Sequence, residues 1–307
     1  MPPSQVAVRV PATSANLGPG FDCLGLALDL FLNVTCRLEE ATGVSIAVAG
    51  SESGGISTGA DNPILTALEL VYQQAGAQPP RGLALSIDNG IPLSRGLGSS
   101  AAAAAAGLMA GNGLLGEPFT RTELLDLGWR LEGHPDNLAP ALLGGITASA
   151  IVRDRVVCIP IASPLELSVA LFIPDFAMPT SQARAVLPNQ VARADAVFNV
   201  GRASLLVAAL AAGDAAALRW AMEDRLHQPY RAQLFPQLQP LSEAALAAGA
   251  AGVALSGAGS TVIALCLGNA AGVAQAMATA AAALALPGRP LCGQVNHQGA
   301  LVSTLLS

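Results

Sequence analysis

The stretch IPLSRGLGSSAAAAAAG, Ile91–Gly107, runs a glycine loop directly into an alanine-rich helix. Gly96 and Gly98 let the backbone approach a ligand closely. Ser99 and Ser100 stand where the helix begins, beside unpaired N–H groups and the positive end of the helix dipole. Those are the ingredients of an anion site, although a loop that merely turns a strand into a buried helix would read alike. Two widespread phosphate fingerprints fail here. The Walker pattern needs a lysine, and all 15 basic residues of the chain are arginine. The dinucleotide pattern G-x-G-x-x-[GA] matches at Gly96, Gly98 and Ala101, but NGIPLSR separates it from the strand that should precede it immediately.

Upstream of this loop, QVAVRVPA alternates with period two and reads as a strand ending at Pro11, followed by a glycine-rich turn, TSANLGPGFD. CLGLALDLFLNVTCRLEE, GVSIAVAG and GLALSID are strand-rich. NPILTALELVYQQAG reads as a helix with Asp61 or Asn62 as its cap and Pro63 in its first turn. Downstream, TRTELLDLGWRLEG is a helix with a capping box, Thr120 followed three residues later by Glu123. The texture changes around residues 150–165, which suggests a join between two halves. Helices are expected over about Ala192–Ala212 and Ala215–His227 and in LFPQLQPLSEAALAAG. Strands GVALSG and TVIALCL flank a glycine turn, and a last alanine helix closes this half. Strands and helices mix without regular alternation, so the class is α+β rather than a doubly wound sheet.

Composition narrows the function. At 307 residues with 52% apolar content, the chain can bury a large core, and a net charge of −6 argues against a broad nucleic-acid surface. Without lysine, Schiff-base chemistry is excluded. Cys23, Cys36, Cys158, Cys266 and Cys292 form no paired spacing, which fits free thiols in a reducing cytosol. The N-terminus lacks the basic and apolar regions of a signal peptide. Ala244–Gly288 is uncharged but broken by glycines and dominated by alanine, so no membrane span is expected and the protein reads as cytoplasmic.

Two more stretches carry chemistry. PATSANLGPGFD packs Asn16, Gly18, Gly20 and Asp22 into one turn. LEGHPDNLAPALLGG gathers Glu132, His134, Asp136 and Asn137 after a helix; two carboxylates and an amide there suit a magnesium ligand and substrate contacts.

Taken together these motifs resemble the GHMP superfamily of small-molecule kinases and, within it, the homoserine kinase family. The motif P-x-x-x-G-L-G-S-S-A-A is met at Pro92–Ala102, and P-A-T-S-A-N-L-G-x-G-F-D at Pro11–Asp22. EGHPDNLAPALLGG has the form seen in that family, and S-G-[SA]-G-P-[ST] is met at Ser256–Thr261 with Ser260 replacing proline. The resemblance spans Val6 to about Leu267. It implies a two-domain α+β fold: an N-terminal half of the ribosomal-protein-S5-domain-2-like kind over residues 1–160 and a ferredoxin-like half over 161–307.

The resemblance also implies ATP-dependent phosphorylation of the L-homoserine hydroxyl, in threonine biosynthesis, with Mg²⁺ and a homodimeric assembly. Neither nucleic acid nor a membrane is an implied partner. By the family pattern, ATP lies against the whole loop: Pro92, Leu93, Ser94, Arg95, Gly96, Leu97, Gly98, Ser99, Ser100, Ala101 and Ala102. Asn62 faces the adenine in that pattern, while Arg95 has no role of its own. Ser100, or alternatively Ser99, and Glu132 hold the metal. Arg184, with Thr180 beside it, and Arg231 meet the substrate carboxylate, as suits guanidinium geometry. Asp22 and Asp136 receive the ammonium, and Asn16, His134 and Asn137 the hydroxyl end, so that Asn16, Asn137 and Arg184 form the catalytic set. Asp136 is the one nearby carboxylate that could act as a base, yet it is read as binding substrate, the proton leaving to the γ-phosphate or to solvent. Two rival readings are another GHMP kinase, of mevalonate or sugar type, and an inactive ligand sensor on the same fold.

Overall fold

The computed structural model describes residues 2–304. The first half opens with two long strands, β1 (Gln5–Asn16) and β2 (Gly20–Leu38), then β3 (Gly43–Ala49), α1 (Pro63–Gln74) and β4 (Gly82–Asn89). α2 (Ser99–Leu114), α3 (Arg121–Glu132) and α4 (Leu138–Leu143) follow, with the hairpin β5 (Ile146–Val152) and β6 (Arg155–Ile161) closing this half. β1 does not stop at Pro11, as its sequence suggests, but continues to Asn16. The register slips between Pro11 and Ala12, and the proline that cannot donate to the ladder sits at that irregularity. The turn therefore shrinks to Leu17–Pro19. β2 serves two neighbours on its far side: Leu24–Leu26 pair with β5, and Leu32–Leu38 pair with β4.

α2 is the central helix and is buried almost all round. This explains its composition: a Cβ at Gly107 would stand 2.1 Å from the carbonyl oxygen of Ile64 on α1, so larger residues would force the two helices apart. Its sequence consequently has no amphipathic stripe. α1 and α3 have conventional starts. Asn62, not Asp61, caps α1 by accepting from the Ile64 N–H, and the Thr120–Glu123 capping box of α3 is formed.

The second half contains β7 (Ser168–Pro174), α5 (Thr180–Ala185), α6 (Arg193–Ala212), α7 (Ala215–Ala221), α8 (Gln228–Arg231) and α9 (Leu238–Ala247). It ends with β8 (Gly252–Leu255), β9 (Val262–Cys266), α10 (Ala270–Ala283), β10 (Gly288–Gln294) and β11 (Leu301–Thr304). Strands in the order β10-β7-β9-β8 make an antiparallel sheet of the ferredoxin-like kind, with α9 and α10 packed over one face. Three features differ from the sequence reading. α7 ends at Ala221 rather than His227, because Asp224 accepts from the N–H groups of Leu226, His227 and Gln228 and starts a new short helix. The alanine helix α10 is not the last element. β10 was hidden by Pro290 and two glycines, tolerable on an edge strand. The four-residue β11 returns to pair with β1 in the first sheet, so the sheets do not divide at a single point near residue 160.

One continuous core joins the halves, running from Val6 and Leu26 through Leu108 to Leu171, Leu206 and Ile263. α6 is long and apolar enough to be compared with a membrane span, at a mean hydropathy of 1.4. It nonetheless turns Leu206 and Leu210 into that core and pairs Arg202 with Glu223. The cysteines are all free.

Candidate active site

A cleft of about 570 Å³ lies between the halves, floored by the loop before α2. Gly96, Leu97, Gly98, Ser99 and Ser100 line it with Leu93 and Ser94, while Pro92, Arg95, Ala101 and Ala102 do not. Arg95 turns outward from the cleft, donating to the carbonyls of Leu93, Pro174 and Asp175, and so ties the loop to the end of β7. The glycines serve the protein as well as any ligand. Gly96 and Gly98 have φ of 74° and 67°. A Cβ on them would stand 2.1 Å from the Ser256 carbonyl oxygen and 1.8 Å from the Thr13 hydroxyl. The loop is thus clamped between β1 and the Ser256–Thr261 turn. Ser256 donates to the Gly96 carbonyl at 2.6 Å and, having one hydroxyl proton, accepts from Ser14 at 2.8 Å. Ser260, in the place where the motif has proline, is buried and donates to the Phe176 carbonyl at 2.8 Å.

At the start of α2 the Ser100 hydroxyl donates to Glu132 at 2.8 Å. Burial pushes the Glu132 carboxyl up, against the Ser100 hydrogen bond and His134, which hold it down. Opposite, Asn62 lines the cleft, but its amide is engaged: Oδ1 accepts from Ile64 and Nδ2 donates to Ser57 at 2.6 Å.

His134, Asn137 and Thr180 carry the cleft wall away from the loop. His134 Nδ1 is 2.7 Å from Asp136 Oδ1. Burial opposes a charge on His134, but the hydrogen bond and charge of Asp136, with Asp22, outweigh it and raise its pKa. Asp136 is buried and also accepts from Asn137 at 3.4 Å, so its carboxylate is already occupied by two neighbours. Asn137 in turn accepts from Thr13 at 2.8 Å. Asp22, His134 and Asp136 each place one ligand atom within 4.8 Å of the others, which brings the Asp22 turn to the same wall.

Beyond this wall Asp22 and Arg184 form a two-pronged ion pair, at 2.7 and 3.1 Å. Their side chains are 35% and 36% exposed, so a ligand can reach both. Thr180 and Arg184 share one face of α5, a turn apart. Arg231 is no surface arginine: it is 1% exposed and donates to the Ala183 and Gly257 carbonyls and to His227. Burial and the Arg184 charge lower it to about 10, which leaves it cationic near neutral pH. Asn16 is likewise buried, donating to the Gly257 carbonyl at 2.8 Å and accepting from the Asp22 N–H at 3.1 Å. It shapes the turn that presents Asp22. Cys23, next along β2, has a thiol pushed up to about 11 by burial and by Asp136 and Asp22, hence unreactive.

The residues named from sequence therefore fall into two groups: a loop group that lines the cleft, and a charged group of which His134, Asn137 and Thr180 line it while Asn16, Asp22, Asp136, Arg184 and Arg231 do not. Sequence reasoning missed Thr13, which holds Asn137 and underlies Gly98, and His227, which holds Arg231. The spacing of His227 and Arg231, four residues apart in LHQPYR, was the available signal for the second.

The chain matches the models of the GHMP kinases N terminal domain over residues 62–145 and of the GHMP kinases C terminal region over 206–283. It is 46% identical to a homoserine kinase of Moorella thermoacetica over 89% of this chain and 91% of that one. It is 42% identical to a homoserine kinase of Microchaete diplosiphon over 97% of both. The crystal structure of homoserine kinase from Cytophaga hutchinsonii superposes with a TM-score of 0.89 at 32% identity, covering 98% of each chain.

Proposed function

The chain belongs to the homoserine kinases of the GHMP family, and from that membership we infer that it transfers the γ-phosphoryl group of ATP to the side-chain hydroxyl of L-homoserine, within threonine biosynthesis. The observation that carries the reading at the site is a partly exposed pair of opposite charges, Asp22 and Arg184, set behind the His134 wall of the cleft that the glycine loop floors. A zwitterionic amino acid supplies one partner for each. Homoserine's ammonium goes to Asp22 and its carboxylate to Arg184, with Arg231 behind, so that one internal ion pair is exchanged for two with the ligand. Thr180 and Asn137 flank the hydroxyl end, with His134 kept on that wall by Asp136. Asn16 contributes by fixing the Asp22 backbone.

ATP phosphates lie along the N–H groups from Gly96 to Ser100, at the start of a sixteen-residue helix whose dipole favours them. Ser100 and Glu132 offer two hard oxygens 2.8 Å apart at that point, the donor chemistry Mg²⁺ accepts. When bound, the ion would neutralise charge on the β- and γ-phosphates. With Asp136 held by His134 and Asn137, no strong base is invoked. A loose phosphoryl-transfer transition state asks chiefly for alignment, and the hydroxyl proton leaves to phosphate or solvent. The five free cysteines suit a reducing cytosol, where we place the reaction, and a homodimer is the proposed assembly.

The test is ADP release with MgATP and L-homoserine, against mevalonate, galactose and shikimate. Turnover confined to homoserine is expected. Good turnover of another alcohol without homoserine overturns the substrate, and binding without any turnover points to a sensor.

A further inference from the structure

The turn carrying Asp22 is gripped by residues of the second half that the mechanism above does not use. Asn199 of α6 donates to the Pro19 carbonyl at 2.9 Å, and His227 Nε2 is 2.7 Å from the Gly18 carbonyl. The His227 ring stacks on Phe21, with centroids 5.1 Å apart and planes at 23°. On its other side, Nδ1 lies 3.1 Å from Arg231 Nη1. Arginine can only donate, so Nδ1 must be the lone-pair nitrogen and Nε2 must carry the proton, which points at Gly18 and at Asp224 Oδ2, 3.5 Å away. The imidazole is fully buried and touches no cleft surface. Phe21, immediately before Asp22, has the Arg231 guanidinium at 5.3 Å and that of Arg184 at 5.5 Å from its ring.

Resting on the substrate reading above, we propose that His227, as a neutral Nε2–H imidazole, is a positioning residue for homoserine. One of its nitrogens fixes the Asp22 turn through Gly18 and the other fixes Arg231, so the ammonium and carboxylate partners are set at one spacing. The nucleotide loop touches this linkage only indirectly, through the Arg231 bond to the Gly257 carbonyl in the turn that holds Gly96. Loss of His227 therefore falls on homoserine far more than on ATP.

Three substitutions separate the contacts. H227N keeps an acceptor where Nδ1 faces Arg231 and gives up Gly18. H227Q keeps a donor towards Gly18 and gives up Arg231. H227F keeps the ring against Phe21 and loses both. Steady-state kinetics of the full chain should give a homoserine KM raised roughly 30-fold or more in H227F and roughly fivefold to tenfold in H227N and H227Q, with the ATP KM within about twofold in all three. The double variant H227F/R231A should be worse than R231A by a smaller factor than H227F is worse than the parent, because the imidazole acts partly through that guanidinium. A folded H227F whose homoserine KM stays within about twofold overturns the proposal, as does an equal rise in both KM values or full additivity with R231A. Should H227F not fold, the decision passes to the other two: a selective homoserine effect in either supports the linkage, and none in both overturns it. An unsubstituted protein without homoserine turnover would instead overturn the substrate reading.

Discussion

The two sides of the cleft are built on different principles. The proposed nucleotide side is one contiguous segment, Leu93–Ser100, whose proposed working groups are backbone amides, two glycines and a serine. The proposed amino-acid side draws Asp22 from the start of β2, His134 and Asp136 from the α3–α4 connection, Arg184 from α5 and Arg231 from α8. Its charges already satisfy one another before a ligand arrives. A backbone site is specified locally, by residues that must be small. A charged site is specified by the whole fold, since each group needs a distant partner to be tolerable when partly buried.

Glu132 is the exception that tests this division, a carboxylate on the backbone side. Glu132→Gln keeps the Ser100 contact in size and removes the charge. The expected result is a loss of roughly 10²–10³-fold in kcat with an unchanged melting temperature. Near-normal turnover would remove Glu132 from the metal site and leave the loop purely backbone.

On the charged side, Arg184→Ala takes away the proposed carboxylate partner and strands Asp22 without its ion pair. Because both groups are about a third exposed, solvent softens the penalty to folding. The effect falls on kcat/KM for homoserine, roughly 30- to 100-fold, with the ATP KM little changed. A larger change for ATP than for homoserine would mean the two sides had been assigned the wrong way round.

How much of each side can be read from sequence follows from the same contrast. The composition of the loop, a cap at Asp61 or Asn62 and the Thr120–Glu123 box depend on neighbours within a few residues and are evident in the sequence, while the choice of Asn62 and the clamping of the loop by Thr13 and Ser256 are not. Arg231 looks like a surface charge until the tertiary structure buries it beneath Phe21. His227 looks like the end of a helix, and its two partners, Gly18 and Arg231, lie far from it in sequence in one case and close in the other. The extension of β1 past Pro11 was concealed because a register slip absorbs the missing donor, a property of the strand pair and not of the proline. β11 has four residues, too few for any period to register.

Gly98→Ala strikes the backbone side where it meets the protein. The added methyl would sit 1.8 Å from the Thr13 hydroxyl, at a φ of 67° that disfavours any side chain. A loss of about 2 kcal/mol or more in chemical denaturation is expected, with a raised ATP KM. If only the ATP KM moved, Gly98 would serve the ligand alone.

The smallest effect concerns pH and the charged side. His227 is held below the ordinary histidine value, first by burial and also by the Arg231 charge, against Asp224, the Gly18 carbonyl and Asp22. In the unfolded chain it titrates near 6.5, while in the native chain it remains neutral to lower pH. Between those values the unfolded state binds the proton and the native state does not, so this contribution to stability is complete above the unfolded value and declines as the pH drops below it. The urea midpoint should therefore fall between about pH 7.5 and about pH 5.5, and the fall should be smaller in H227N. Other groups titrate over the same range, which is why the difference between parent and variant, and not the parent's slope, is the quantity to measure. An identical fall in both would mean that the imidazole takes up its proton as readily in the fold as outside it. The Arg231 contact at Nδ1 would then give the imidazole no preference for its neutral form, and His227 would add little to the hold on the charged side.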